Sequence, residues 1–464
     1  MHDPALVLVV ADGLRPDTLD AAIAAGAVPA LARLRADGGA HTLTTCFPSV
    51  TGLAYAPFLM GKHPAEVGLP GLRWLDRSHA RARVPAHARS YVGWGVKGLD
   101  GDLDPASPTL FELVRPSLGA LTMITRGLPR SQRIARGVWW AARGLQGHFF
   151  GSLDDWLLAD RDVATIVAQR VRNEHPRFTL AALMGIDKAS HATGHASAEA
   201  ARALRLVDSL VARLQSDAAR DNRPLRVWVA SDHGHVPVQA HDELVEAVRA
   251  TGARVIAHPW VIGATGDVAV MVGGNAMAQL YLEPTARVRA GWAAHAERWS
   301  PLADALLARA SVDLMILPLD ARRCLVRASG RGEALIRAEG DGDRWRVTHE
   351  HRTGNPLGLA PGTFDRTEAW QVAHASDYPD ALVQLALLTG CERVGDLLLS
   401  AAPGFDFRAR YEPSPHVSTH GALHRNQMRV PLLLDAPPRE RLRRTTEIMP
   451  AICEVLGLAP PARA

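Results

Sequence analysis

The sequence predicts an α/β protein: a mostly parallel central sheet sandwiched by helices and interrupted by two inserted regions. Three observations predict it. First, the apolar runs "ALVLVVADG" (5–13), "RFTLAALMGID" (177–187) and "LRVWVASDHGH" (225–235) each lead into an aspartate. Continuous apolar runs of this length read as strands buried on both faces of an α/β sheet. Second, segments with helical apolar spacing separate them, and that β–α–β alternation points to parallel pairing. Third, residues 75–160 and 262–368 break the rhythm and read as an inserted cap segment and a second inserted α+β segment within one domain spanning 1–464.

In chain order, "PDTLDAAIAAGAVPALARLRADG" (16–38) follows the opening strand, and its Gly and Pro stops divide it into two short helices. "TTCFPSVTG" (44–52) follows a short extended stretch and opens a further helix, with Cys46 near its start. Inside the first inserted region, "GWGVKGLDGD" (93–102) reads as a flexible Gly-rich loop without the Lys-Ser/Thr ending of a P-loop. "SQRIARGVWWAARGLQGHFFG" (131–151) combines Arg133, Arg136 and Arg143 with Trp139, Trp140 and Leu145. Such a stretch is expected to be a cap helix packed on the core; the minority reading is a peripheral lipid contact.

"SAEAARALRLVDSLVARLQSDAARD" (197–221) carries helical spacing over several turns. The second inserted region holds a helix at "PLADALLARAS" and a hairpin around Gly340-Asp341-Gly342. "MRVPLLLDAP" then returns as a strand, and "TTEIMPAICEVLGL" closes the chain as a helix.

At 464 residues the chain can bury a large core, and 47% apolar with 22% charged residues is ordinary for a globular protein. A net charge of +4 is weak support for nucleic-acid binding, which is therefore not expected, and it is compatible with an anionic substrate. Cys46, Cys324, Cys391 and Cys453 show no paired spacing, so neither a disulfide framework nor a zinc finger is indicated. The N-terminal apolar run is brief and lacks a basic leader, and no stretch approaches the roughly 18 apolar residues of a membrane helix. The expected location is cytoplasmic.

Active sites of open α/β sheets lie beyond the carboxyl ends of the strands. Asp12, Asp187 and Asp232 fall at that edge. A lone aspartate there is ordinarily a cap or turn residue, but these bring company: His191 follows Asp187 at i, i+4, His233 follows Asp232 directly, and "STHGALHRN" supplies His420. Carboxylates mixed with imidazoles suit zinc or similar divalent ions. Asp12, Asp187, His191, Asp232, His233 and His420 supply six ligands, enough for two metals able to clamp the oxygens of a phosphoryl transfer. His195, His235 and His424 rank below these six, as surface residues or supporting partners. Cys46 would complete the site as ligand and nucleophile, although a cysteine taken alone is more often an inert core residue.

The ordered set "VVADGLRPD", "TTCFPSVTG", "GKHPAEVGLPG", "MGIDKASHATGH", "ASDHGH" and "STHGALHRNQMRVPLLL" resembles the alkaline phosphatase superfamily, nearest to its type I phosphodiesterase/nucleotide pyrophosphatase family. The resemblance implies an alkaline-phosphatase-like fold and a two-zinc hydrolase of phosphoric esters. It implies one ion on Asp12, Asp232 and His233, and a second on Asp187, His191 and His420. It also implies a nucleophile just before Phe-Pro, normally threonine and here Cys46.

The sulfatase branch offers an alternative, a cysteine of C-x-P-x-R converted to formylglycine, but Val50 stands where its arginine belongs. Other departures are Pro48-Ser49 for Pro-Asn, Val67-Gly68 for His-Gly, and "GLRW" where a phosphate-holding asparagine is expected. Arg73 is the candidate replacement there. The expected substrate is a phosphorylated small molecule or lipid. The rival readings are a transferase acting on lipid-linked phosphate and a catalytically silent metal-containing binding protein.

Overall fold

A computed structural model describes residues 4–79, 88–135, 152–257, 265–408 and 415–461. The opening strand, Ala5–Ala11, is buried along its whole length and lies in the middle of a seven-stranded sheet. It pairs in parallel with Phe178–Leu183 on one side and Leu225–Ala230 on the other. Ser117–Ala120 and Arg133–Ile134 extend the sheet in parallel beyond Phe178–Leu183. Arg429–Leu433 and Ala40–Thr44 close the opposite edge antiparallel.

The period of two along Ala5–Ala11 divides the core. Leu6, Leu8 and Val10 face one apolar layer with Tyr55, Phe58 and Ile452, while Val7, Val9 and Ala11 face another with Val163, Val207 and Leu210. The second layer is covered by the long helices Leu153–Glu174 and Ala198–Arg220. The helix Pro29–Gly38 has no cap from its own sequence; instead the buried Asp208 accepts from the backbone N–H groups of Ala30 (2.8 Å) and Leu31 (2.9 Å). The helix breakers that divide 16–38 give helices Pro16–Ala24 and Pro29–Gly38.

A second, nine-stranded sheet is built largely from 255–364, with Leu397–Ala401 inserted between Met277–Leu282 and Val312–Pro318. Its hairpin Gly332–Glu339/Arg346–His351 turns at Gly340–Gly342, and helix Trp292–Leu307 packs on one face. On the other face, helix Ala381–Gly390 contributes to a core that includes Phe47, joining this sheet to the segment before the first inserted region. The segment 93–102, read as a flexible loop, is two short helical turns, Gly93–Gly98 and Leu99–Asp102. Leu99 is fully buried, and Tyr91 donates its hydroxyl to Asp102 at 3.0 Å, which holds the turns down. Of the basic aromatic stretch, Arg136, Trp139, Trp140, Arg143 and Leu145 lie outside the described residues. Among the described residues, no helix is long and apolar enough to cross a membrane.

Candidate active site

Register brings the chemistry together. Ala11 stands opposite Leu183 and Val10 opposite Ala230, so the residues that follow all three strands emerge at one edge of the sheet. Asp12, Asp187, Asp232 and His233 are all buried there. Three groups of potential ligand atoms gather at this edge: Asp12 with Asp232 and His233, Asp187 with His191 and His235, and Asp187 with His233 and His420.

Helix Gly185–Thr193 carries Asp187 and His191 one turn apart, with His191 Nε2 3.2 Å from Asp187 Oδ1. Its start is held from outside: Asp160, on helix Leu153–Glu174, accepts from Met184 N (3.0 Å) and Gly185 N (2.6 Å). A Cβ on Gly185 would sit 2.7 Å from Asp160 Oδ2, so this close approach requires glycine. Burial pushes the Asp160 carboxyl up to about 7.

The donor set passes a chemical test for cations. His191 Nδ1 lies 2.8 Å from the Ser418 carbonyl, His420 Nδ1 2.9 Å from that of Ser49, and His233 Nδ1 3.2 Å from that of Gly234. A carbonyl only accepts, so each Nδ1 carries hydrogen and each Nε2 of the neutral ring presents a lone pair. Those lone pairs face carboxylate oxygens: His191 and His420 face Asp187 at 3.2 and 3.5 Å, and His233 faces Asp12 at 3.3 Å. Lone pair against carboxylate is repulsive unless a positive charge, a proton or a metal ion, lies between, and a metal-ligating imidazole is ordinarily held in this way at its other nitrogen.

Asp232 Oδ2 is buried without a hydrogen-bond partner among the described residues, a second sign that a cation belongs here. Protons respond to the same field. Burial, then the neighbouring Asp12, pushes Asp232 up to about 7. Burial works against a charge on His233, but Asp232 and then Asp12 raise it to about 9. The residues present fit divalent ions bound by oxygen and imidazole nitrogen.

Cys46 requires a correction. It is fully buried, belongs to none of the three ligand groups, and its Sγ lies 3.7 Å from the Pro48 carbonyl. Burial, with Asp232 adding to it, pushes the thiol up to about 12, far from a thiolate. The hydroxyl that touches the cluster belongs to Thr51, partly exposed, with Oγ1 3.1 Å from Asp12 Oδ1 and 2.9 Å from His233 Nε2. Thr51, not singled out from the sequence, precedes Gly52 at the last bend before the helix.

The loop between the two positions is firmly held. Gln384 accepts from Phe47 N and donates to the Thr45 carbonyl, and Thr45 Oγ1 donates to the Asp232 carbonyl. Tyr55, one turn on from Thr51, donates its buried hydroxyl to Asp12 Oδ2 at 3.1 Å.

Other expectations fall out as follows. Arg73 donates to the Val272 carbonyl at 3.1 Å, tying it to the nine-stranded sheet. His424 caps the helix Arg425–Met428, and the His195 carbonyl accepts from Thr18. His235, ranked low, joins the cluster at 3.1 Å from Asp187 Oδ1. Lys188 was not singled out; its Nζ lies 2.9 Å from Asp187 Oδ2 and over the Trp156 ring. Burial opposes ionisation of Asp187, but Lys188 and then His191 hold its carboxyl well below the ordinary range.

The family model described as type I phosphodiesterase/nucleotide pyrophosphatase matches residues 6–423. Compared directly with curated protein sequences, the chain matches none. Among solved structures it is similar to phosphonoacetate hydrolase from Sinorhizobium meliloti 1021 in complex with phosphonoformate. That match is 16% identical, covers 98% of this chain and 95% of that one, and has a TM-score of 0.57. It is also similar to murine ectonucleotide pyrophosphatase/phosphodiesterase 5, in an inactive threonine-to-alanine form in complex with AMP. There the identity is 12%, the coverage 100% and 97%, and the TM-score 0.56. The human protein of the same name matches at 12% identity over 99% and 97%, with a TM-score of 0.56.

Proposed function

Because the chain belongs to the type I phosphodiesterase/nucleotide pyrophosphatase family of the alkaline phosphatase superfamily, we propose that it hydrolyses phosphoric esters through Thr51, assisted by two divalent ions. Zinc suits the mixed carboxylate and imidazole donors. The observation that carries this reading is the position of Thr51 Oγ1, in contact with both Asp12 and His233. The threonine-to-alanine change named for the inactive murine structure lends it further support.

In this reading Asp12, Asp232 and His233 hold one ion, and Asp187, His191 and His420 hold the other. Bound there, the ions would supply positive charge to the phosphoryl oxygens and favour ionisation of the nucleophilic hydroxyl. Thr51 Oγ1 gives up its proton and attacks phosphorus, forming a Thr51–phosphorus ester as the bond to the leaving oxygen breaks; that oxygen takes the bonding pair and one proton and departs as the alcohol. Water then cleaves that ester, and Thr51 recovers its proton. Tyr55 keeps the Asp12 carboxylate oriented, and Lys188 adds a fixed cation beside Asp187. Arg73, tied to the Val272 carbonyl, could reach phosphate only by giving up or sharing that bond.

The test is turnover of an aryl phosphodiester, an aryl phosphomonoester and a small phosphonate by purified protein of measured metal content. Turnover that chelator removes and zinc restores supports the proposal. Protein with both centres loaded and no turnover on any of the three would favour the silent binding protein.

A further inference from the structure

Outside the six expected ligands, one histidine carries the features that mark the others. His235 is fully buried, and its Nε2 lies 3.1 Å from Asp187 Oδ1, the oxygen that His191 and His420 also face. Its Nδ1 lies 3.3 Å from Ser418 Oγ. That hydroxyl donates its hydrogen to the Val236 carbonyl at 3.1 Å and so accepts from His235, placing the ring hydrogen on Nδ1. The Nε2 lone pair of His235 therefore also faces a carboxylate oxygen. Ser418 holds two of these rings at once: its carbonyl fixes His191 and its hydroxyl fixes His235. Gly13 makes room for the ring, because a Cβ there would lie 2.8 Å from His235 Nε2.

We propose that His235 is a metal ligand of the Asp187 centre, alongside Asp187 and His191, whose ligand atoms lie within 4.8 Å of one another and of its own. This rests on the metal-dependent reading above and extends it. His420 Nε2 faces the same carboxylate oxygen at 3.5 Å but gathers with Asp187 and His233, so His235 and not His420 completes the group around Asp187 and His191. The Asp12 centre likewise has three protein donors, Asp12, Asp232 and His233, with Thr51 beside them.

The experiment counts histidine ligands directly. In protein loaded with cobalt(II) at both centres, each coordinated imidazole contributes one strongly shifted, exchangeable ring N–H proton resonance. The inference predicts four, from His191, His233, His235 and His420, and the loss of one in His235→Gln. It also predicts that His235→Gln releases one of its two cobalt ions to chelator about 10–100-fold more readily. Three resonances in the unaltered protein would overturn it, leaving His235 as a hydrogen-bond partner of Asp187, and this count does not depend on the variant folding. Failure to bind cobalt at all would overturn the metal-dependent reading, and this inference with it.

Discussion

Thr51 and His233 meet at the mouth of the site, Oγ1 to Nε2 at 2.9 Å, and the same hydroxyl lies 3.1 Å from Asp12. Five residues earlier, Cys46 is fully buried and belongs to none of the ligand groups. A single bend thus separates a residue that touches the polar cluster from one that supports the loop. That bend is held by polar contacts from distant parts of the chain, and these contacts can be tested separately.

Tyr55 donates to Asp12 Oδ2, and both residues are fully buried. Tyr55→Phe removes only that bond and leaves the packing with Phe58 and Leu59 intact. The expected outcome is a roughly 10–100-fold loss of metal affinity at the Asp12 centre. Competition with a calibrated chelator checks it, with circular dichroism confirming an unchanged fold.

Arg444 and Asp380 form a buried bidentate pair, at 2.6 and 2.8 Å, and Gln384 links Asp380 to the Thr45–Phe47 backbone. Arg444→Met strands the Asp380 charge and is expected to destabilise the fold by about 3–5 kcal/mol. Denaturant unfolding measures this. Replacing Arg444 and Asp380 together with apolar residues should recover much of the loss.

Asp160 predicts a pH dependence. Its native carboxyl, pushed up to about 7 by burial, holds a proton that the unfolded chain releases near 3.8. The native state therefore binds more protons between those values, so this group's contribution to stability is full below pH 4 and falls as pH rises toward 7. The slope approaches about 1.4 kcal/mol per pH unit at most. In metal-free protein, Asp160→Asn should flatten the stability profile over that window. Unfolding midpoints measured at several pH values in both proteins check it.

The sheet edge was legible because its strands are unbroken apolar runs that end in acids, and parallel register then lines up their ends. Asp187 and His191 were legible because a helical turn fixes their spacing. The place of Cys46 was not legible, because a Phe-Pro pair marks a position along the chain and not a direction in space; the structure buries Phe47 in the core of the second sheet and brings Thr51 against Asp12. The approach of His235 to Asp187 was not legible because it depends on the turn at Gly13 and on Ser418, nearly two hundred residues away. The nine-stranded sheet was only partly legible, since Leu397–Ala401 joins it from beyond the inserted region.

The most direct measurement compares Thr51→Ala with Cys46→Ala, both loaded with metal, on one aryl phosphodiester. The account predicts that Thr51→Ala loses at least about a thousandfold in kcat while retaining its metals. It predicts that Cys46→Ala keeps kcat within a factor of about three and loses about 1 kcal/mol of stability. Full turnover by Thr51→Ala, or collapse of turnover in a folded, metal-loaded Cys46→Ala, would contradict it.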